Sequence, residues 1–245
     1  MYAIDTKGLT KVFGRKVAVD HIDLTVGEGE LFALLGVNGA GKTTTIRMLS
    51  GLSAPTEGSC RVCGHDCAAE KAQVKSIIGL SPQDTAVAEN LTVLENLRFM
   101  AQVYGLRRAG LQERVEEMIR QFRMEEVLQS RAKTLSGGWK RKLSIAMALI
   151  AQPRVLFLDE PTLGLDVLAR RELWRVIESL KGKVTVLLTT HYMEEAEQLA
   201  DRIAVMIDGR IAAMGTLQEL EQLTGKTGLE ECFVAIAEGS VDQNA

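Results

Sequence analysis

The chain has 245 residues, 46% of them hydrophobic, and a formal net charge of −3. That length allows one large domain or two small ones with a substantial core, and the slightly acidic balance offers no basic footprint for nucleic acid. No apolar run approaches the length of a bilayer span and the N-terminus lacks a signal-peptide apolar region, so the chain is expected to be soluble.

Residues 2–26 alternate apolar and polar positions (Tyr2, Ile4, Val19, Ile22, Leu24, Val26) and read as antiparallel strands. Leu31-Phe32-Ala33-Leu34-Leu35 is a short apolar run suited to a strand buried on both faces. It runs into Gly36-Val37-Asn38-Gly39-Ala40-Gly41-Lys42-Thr43, which fits the phosphate-binding loop pattern G-x-x-x-x-G-K-[ST] without deviation. Thr43–Leu49 then continues as a helix that stops at Ser50-Gly51. Strand, glycine loop and helix together form the context this chemistry needs. Glycines let backbone N–H groups approach phosphate oxygens, and the helix start adds partial positive charge. Lys42 is placed to reach the β- and γ-phosphates and the Thr43 hydroxyl to ligate Mg²⁺, with Thr44 a further candidate nucleotide-binding residue.

Gly58–Asp66 reads as a strand and turn joining the first antiparallel strands. Its Cys60, Cys63 and Cys67, with His65 among them, have spacing that suggests a metal site, but no second Cys-x-x-Cys supplies the remaining ligands. Reduced thiols are the expectation. From Gln83 to Leu135 the pattern turns helical. Thr92-x-x-Glu95 is a capping-box signal, with Leu94, Leu97, Ala101 and Tyr104 near one face and Gly105 as a stop. Leu111, Val115, Met118, Ile119 and Phe122 make a second amphipathic stripe. A helix is expected over Lys140–Ile150, behind Ser136-Gly137-Gly138, and the cluster Lys140-Arg141-Lys142 reads as its surface charge.

Val155–Leu158 is a second buried strand, ending in Asp159 and Glu160. Neighbouring strand residues point to opposite faces, so the two carboxylates can take different jobs. Asp159 suits the Mg²⁺ shell and Glu160 suits a general base for an attacking water. Helix Leu168–Leu180, strand Val184–Thr190, helix Met193–Ala200 and strand Ile203–Ile207 restore an α/β rhythm. Asp208-Gly209 is a hairpin turn into Arg210–Met214. Leu229, Cys232, Phe233 and Ile236 have helical spacing in a tail that ends polar.

Set between the two nucleotide-site motifs, Leu135-Ser136-Gly137-Gly138-Trp139 resembles the LSGGQ signature of ATP-binding-cassette (ABC) transporter nucleotide-binding subunits, over roughly residues 2–224. The resemblance implies an α/β fold: a P-loop NTPase (RecA-like) core with an antiparallel β subdomain and an inserted α-helical subdomain at about 84–150. Residues 1–224 would form the ATPase domain and 225–245 a tail with one helix. It implies a Mg²⁺-dependent ATPase with ATP bound at Gly36, Asn38, Gly39, Ala40, Gly41, Lys42, Thr43 and Thr44. Ser136, Gly137 and Gly138 would cradle the γ-phosphate held by a second subunit, in the homodimeric arrangement that the resemblance implies. Gln83 resembles the Q-loop glutamine, which contacts metal and water and couples to the membrane partner. Gly164-Leu165-Asp166 resembles the D-loop that crosses between subunits, His191 the switch histidine, and Phe13 the aromatic that stacks on adenine.

The implied partner is an integral-membrane permease, with no nucleic acid, and the implied location is the cytoplasmic face of the membrane. The runs Thr190–Glu197 and Leu229–Phe233 resemble the bacterial drug- and lipid-exporter branch. Two residues depart from the family pattern: Trp139 replaces the usual glutamine, and Met147 stands where many members carry arginine. Two other readings stand beside this one: a non-transport ABC ATPase acting on ribosomes or DNA, and a regulatory subunit that binds nucleotide without hydrolysing it.

Overall fold

The computed structural model describes residues 2–239. The chain opens with a long hairpin, β1 (Tyr2–Phe13) and β2 (Lys16–Gly27), then crosses to β3 (Leu31–Leu35) and α1 (Lys42–Leu49). Next come β4 (Glu57–Val62), β5 (His65–Asp66), α2 (Lys71–Ile77) and β6 (Ile78–Ser81). The helical insert holds α3 (Val93–Val103), α4 (Arg108–Phe122) and α5 (Gly137–Leu149). The chain then returns through β7 (Val155–Asp159), α6 (Val167–Glu178), β8 (Thr185–Thr190), α7 (Met193–Leu199), β9 (Arg202–Ile207), β10 (Arg210–Gly215), α8 (Leu217–Thr224) and α9 (Leu229–Ala237).

Two sheets result. One is antiparallel, in the order β2-β1-β4-β5; the other has six strands in the order β10-β9-β3-β8-β7-β6. In the larger sheet β9, β3, β8, β7 and β6 run parallel, and β10 closes the edge antiparallel to β9. The two-residue alternation of its strands splits the core in two. Leu31, Ala33, Leu35, Leu156, Leu158, Val186, Leu188, Ile203 and Val205 face the helical insert together with α6, α7 and α9. Phe32, Leu34, Val155, Phe157, Leu187, Ala204 and Met206 face α1 and the antiparallel sheet. Strands buried on both faces in this way explain why β3 and β7 read as unbroken apolar runs.

Several local readings are corrected. Helix α5 begins at Gly137, three residues before the expected Lys140, because Ser136 is its N-cap and accepts from Trp139 N at 3.4 Å. The cluster behind it is not surface charge: Arg141 and Lys142 are buried, and each has found a partner. The capping box of α3 is present, but its buried face is Val93, Asn96, Leu97 and Ala101, while Tyr104 is exposed. Asn96 is wholly buried because its side chain bonds Ala88 N, Ala88 O and Thr92 O, fastening the preceding loop to the helix. Elements α2, β6 and α8 were not anticipated; α8 has its own capping box, Thr216 with Glu219.

The cysteine-rich segment is built into β4 and β5. Cys60 and Cys67 are buried, and Cys60 Sγ points to Met48 O of α1 at 3.8 Å. The His65 ring pairs with Glu70 at 3.1 Å, and no metal-ligand cluster forms among the described residues. The expected polar end of the tail, from residue 240, lies outside the described residues.

One contact ties the two sheets to the glycine loop. At the turn between β9 and β10, Gly209 N donates to Ala40 O at 3.0 Å, and Gly209 O accepts from Asp20 N of β2 at 2.8 Å.

Candidate functional site

Four neighbouring parallel strands end at one rim of the large sheet, and each delivers part of a cleft. β3 leads into the glycine loop, β8 into His191, β7 into Asp159 and Glu160, and β6 into Gln83. The cleft has a volume of about 490 Å³, and its walls include Phe13, Asn38, Gly39, Gly41, Lys42, Thr43, Thr44, Gln83, Glu160 and His191. Lys16, Ala18 and Leu163 complete it and were not anticipated.

The glycine loop is pressed between β9 and β2. A Cβ on Gly36 would run into Met206 O, and one on Gly41 into Ala18 O, so neither position accepts a larger residue without movement. Gly41 caps α1 at φ 110°, a left-handed conformation that glycine adopts without strain. The first amides of α1 have no side-chain cap, so they remain free to meet an anion. Ala40 is buried beneath the loop and contributes backbone.

Lys42 is 4% exposed, and its ammonium is fully engaged within the chain. It donates to Gly36 O at 2.7 Å and Val37 O at 3.1 Å, and lies 3.3 Å from Glu160 Oε1. The other Glu160 oxygen, Oε2, lies 2.9 Å from His191 Nδ1. That approach is close but poorly directed, leaving the ring nitrogen without a hydrogen-bond partner among the described residues.

Asp159 and Glu160 take separate surroundings, as their alternation predicts. Asp159 Oδ1 accepts from Thr43 Oγ1 at 3.1 Å and from Thr189 Oγ1 at 2.6 Å. Glu160 turns the chain at φ 48°, a left-handed conformation uncommon for a non-glycine residue. It is held there because its N–H donates to both Thr189 O, at 3.1 Å, and Thr189 Oγ1, at 3.0 Å. Sequence reading missed Thr189, although its register opposite Asp159 is the signal: a hydroxyl at that strand position serves both acids at once.

Arg141 is the second missed residue. Its guanidinium donates to Pro82 O at 2.7 Å and Gln83 O at 2.6 Å, anchoring from α5 the loop that presents Gln83 to the cleft. Burial pulls it below the ordinary arginine value, partly offset by Asp159. The third is Glu195 of α7, which is 0% exposed. It accepts from Trp174 Nε1 at 3.1 Å, with Thr190 and Thr162 beside it and Arg170 nearby. Burial pushes its carboxyl up, against the opposing pull of those partners.

Ser136, Gly137, Gly138 and Asp166 lie outside this cleft. Ser136 and Gly137 are exposed at the start of α5, with Gly138 half-buried beside them. Asp166 is exposed and caps α6, accepting from Leu168 N and Ala169 N at 2.9 Å each. Phe13 is on the cleft wall, 53% exposed, with Lys11 Nζ 5.1 Å from its ring centroid.

This geometry offers an anion a lysine and a helix start. It offers a hard divalent cation the oxygens of Thr43 and Asp159.

A protein-family profile described as "ABC transporter" matches residues 19–163. The daunorubicin/doxorubicin resistance ATP-binding protein DrrA of Streptomyces peucetius is 45% identical over 228 residues, covering 93% of this chain and 69% of that protein. The probable multidrug ABC transporter ATP-binding protein YbhF of Escherichia coli K12 is 42% identical over 219 residues, 89% of this chain and 38% of YbhF. The phospholipid-transporting ATPase ABCA3 of Homo sapiens is 44% identical over 226 residues, but this chain spans only 13% of its length. Among solved structures, an ATP-binding subunit of an ABC transporter superposes with a TM-score of 0.86 at 32% identity, covering 96% of this chain and 99% of that one. The ATP-binding cassette MJ0796, in a dimeric post-hydrolysis state bound to ADP and Pi, gives a TM-score of 0.79 at 25% identity, covering 87% and 98% respectively.

Proposed function

The chain belongs to the ABC transporter family, and from that membership we propose that it is the ATP-binding and ATP-hydrolysing subunit of a transporter, with its chemistry in the cleft at the ends of β3, β6, β7 and β8. One observation carries the reading: Lys42 and His191 approach the two oxygens of the same carboxylate, Glu160, at the mouth of the glycine loop.

The triphosphate of ATP lies along Gly36–Thr44, against the free amides at the start of α1, and Phe13 offers its exposed ring to the base. A γ-phosphate entering the loop competes with Glu160 for the Lys42 ammonium, which has no fourth donor. Glu160 released from Lys42 keeps His191 beside it and turns its free oxygen to a water, directing it at phosphorus as general base. His191 then holds Glu160 in place and faces the phosphoryl oxygens. The oxygens of Thr43 and Asp159, with Gln83 across the cleft, suit a Mg²⁺ ion, which when bound neutralises charge on the phosphates.

Ser136, Gly137 and Gly138 serve a second copy. Their exposure outside the chain's own cleft supports that assignment, as does the dimeric, ADP- and Pi-bound state of the related cassette MJ0796. Two copies thus pair head to tail, each glycine loop facing the other's Ser136 turn, and cleavage reopens the pair. Asp166, exposed at the start of α6, crosses at the same junction.

The names of DrrA and YbhF support export of drug-like compounds, and that of ABCA3 supports lipid-like ones. In this reading the chain drives a separate integral-membrane permease from the cytoplasmic face of the membrane and engages no nucleic acid. No described helix is long and apolar enough to cross a membrane, in keeping with a separate permease.

Glu160→Gln tests the mechanism. Phosphate release should fall by roughly 10²–10⁴, while saturating Mg-ATP converts the variant to a stable dimer on size-exclusion chromatography. A variant that stays monomeric under those conditions rules out the two-copy mechanism.

A further inference from the structure

Trp139 follows the Ser136-Gly137-Gly138 turn at a position where an amide side chain was the expectation, and the cleft makes no use of it. Its indole instead enters a groove of about 420 Å³ between α4, α5 and α6, beside Phe122, Lys142, Glu172 and Arg175. There the Lys142 ammonium sits 4.4 Å from the indole centroid and 2.7 Å from Glu172 Oε2. Lys142 is 8% exposed, so ring and carboxylate enclose the ammonium together. The Lys142 hydrogen bond in turn holds the Glu172 carboxyl below its ordinary value.

The two helices joined by this contact are those that begin at the two exposed turns. α5 starts at Ser136, and α6 starts at Asp166. Their first turns touch: a Cβ on Gly138 would lie 3.1 Å from Ala169 Cβ, and one on Gly137 3.8 Å from Leu165 Cδ2. α5 closes the helical insert, whereas α6 follows β7 of the core. Any drift of the insert relative to the core therefore displaces Ser136 relative to Asp166.

We infer that Trp139 is a positioning residue, whose ring holds Lys142 on Glu172 and so locks the Ser136 turn in register with the start of α6 for the second subunit's nucleotide. A free lysine stem samples many rotamers, and an aromatic face beneath the ammonium narrows them by electrostatic attraction. A glutamine has no such face. The departure from the usual signature thus supplies a clamp and leaves the backbone cradle intact.

This inference rests on the proposed role of the Ser136 turn, and the test separates the two. In the Glu160→Gln background, Trp139→Gln, Trp139→Phe and Lys142→Met are compared by sedimentation velocity in a Mg-ATP titration. Binding of a fluorescent ATP analogue to the monomer is measured in parallel, since neither Trp139 nor Lys142 lines the cleft. Trp139→Gln and Lys142→Met should weaken ATP-dependent dimerisation by roughly three- to tenfold and leave monomer binding unchanged. With Glu160 intact, the same changes should raise KM for Mg-ATP more than they lower kcat. Trp139→Phe, which keeps a ring, should stay within about twofold of the parent. A Trp139→Gln variant that dimerises as tightly as the parent overturns the clamp alone. A parent that never dimerises overturns the role of the Ser136 turn, and the clamp with it.

Discussion

Two glycine-rich turns open helices in this chain, and they are built in opposite ways. The Gly36–Lys42 loop is enclosed: Met206 and Ala18 press on its glycines, and every Lys42 donor has a partner within the chain. The Ser136–Gly138 turn is open: Ser136 and Gly137 are exposed, and among the described residues the Ser136 hydroxyl meets only a long contact from the amide of its own helix. The first is a socket finished within one polypeptide. The second, on the proposed function, is a shaped surface whose complement lies in another copy. A motif of phosphate-cradle composition is therefore not by itself a complete site; what backs it decides whether it binds alone.

The most forceful way to break this contrast is to disable each turn separately. Lys42→Ala should abolish binding of a fluorescent ATP analogue by the monomer and cut phosphate release by at least about 10³. Ser136→Arg fills the open turn, and should stop turnover and dimerisation while leaving monomer binding as in the parent. If Ser136→Arg lost monomer binding as well, the two turns would belong to one site and the contrast would fail.

A smaller effect is expected where α5 reaches back to the cleft. Arg141→Met leaves the carbonyls of Pro82 and Gln83 without their buried donor, so urea unfolding should show a loss of about 1–3 kcal/mol. Phosphate release should fall with it, because the loop bearing Gln83 loses its anchor on α5. Retained kcat in a destabilised Arg141→Met protein would confine the residue to folding.

The smallest effect concerns Glu195, behind the cleft. Its folded pKa is raised by burial, so between the ordinary carboxylate value and that raised value the folded chain keeps a proton that the unfolded chain releases. Stability from this group therefore declines as pH rises through that window, and the penalty is constant above it. Arg170 opposes the rise, and the Arg141 charge also interacts with this carboxyl. Glu195→Gln removes the titration, so its Tm relative to the parent should climb as pH rises above the ordinary carboxylate range. A flat difference across that range would show that the carboxyl titrates alike in both states.

Much of this was legible in the sequence, and what was missed shares one cause. The glycine loop, the β7 acids and the capping box at Thr92 are local patterns, readable because spacing alone defines them. Arg141 and Lys142 looked like solvated charge because their partners, Pro82, Gln83 and Glu172, come from distant segments. Thr189 was hidden for the same reason: its role depends on strand register, which no single stretch reveals. Asn96 disguised the buried face of α3 by placing a polar residue at its centre, satisfied by loop carbonyls. Charged and polar groups are where tertiary context overrides local rules.

The turn at Gly209 gives the glycine loop a history as well as a support. A ribosome delivers the loop early and its backing late. Until Met206 and Gly209 emerge, the Ala40 carbonyl lacks its amide partner and one wall of the loop is missing. A nascent chain halted before that point carries the full phosphate-binding motif without the shape that makes it work. Competence for ATP thus arrives as a late event of synthesis, set by a hairpin far downstream of the residues that would touch the nucleotide.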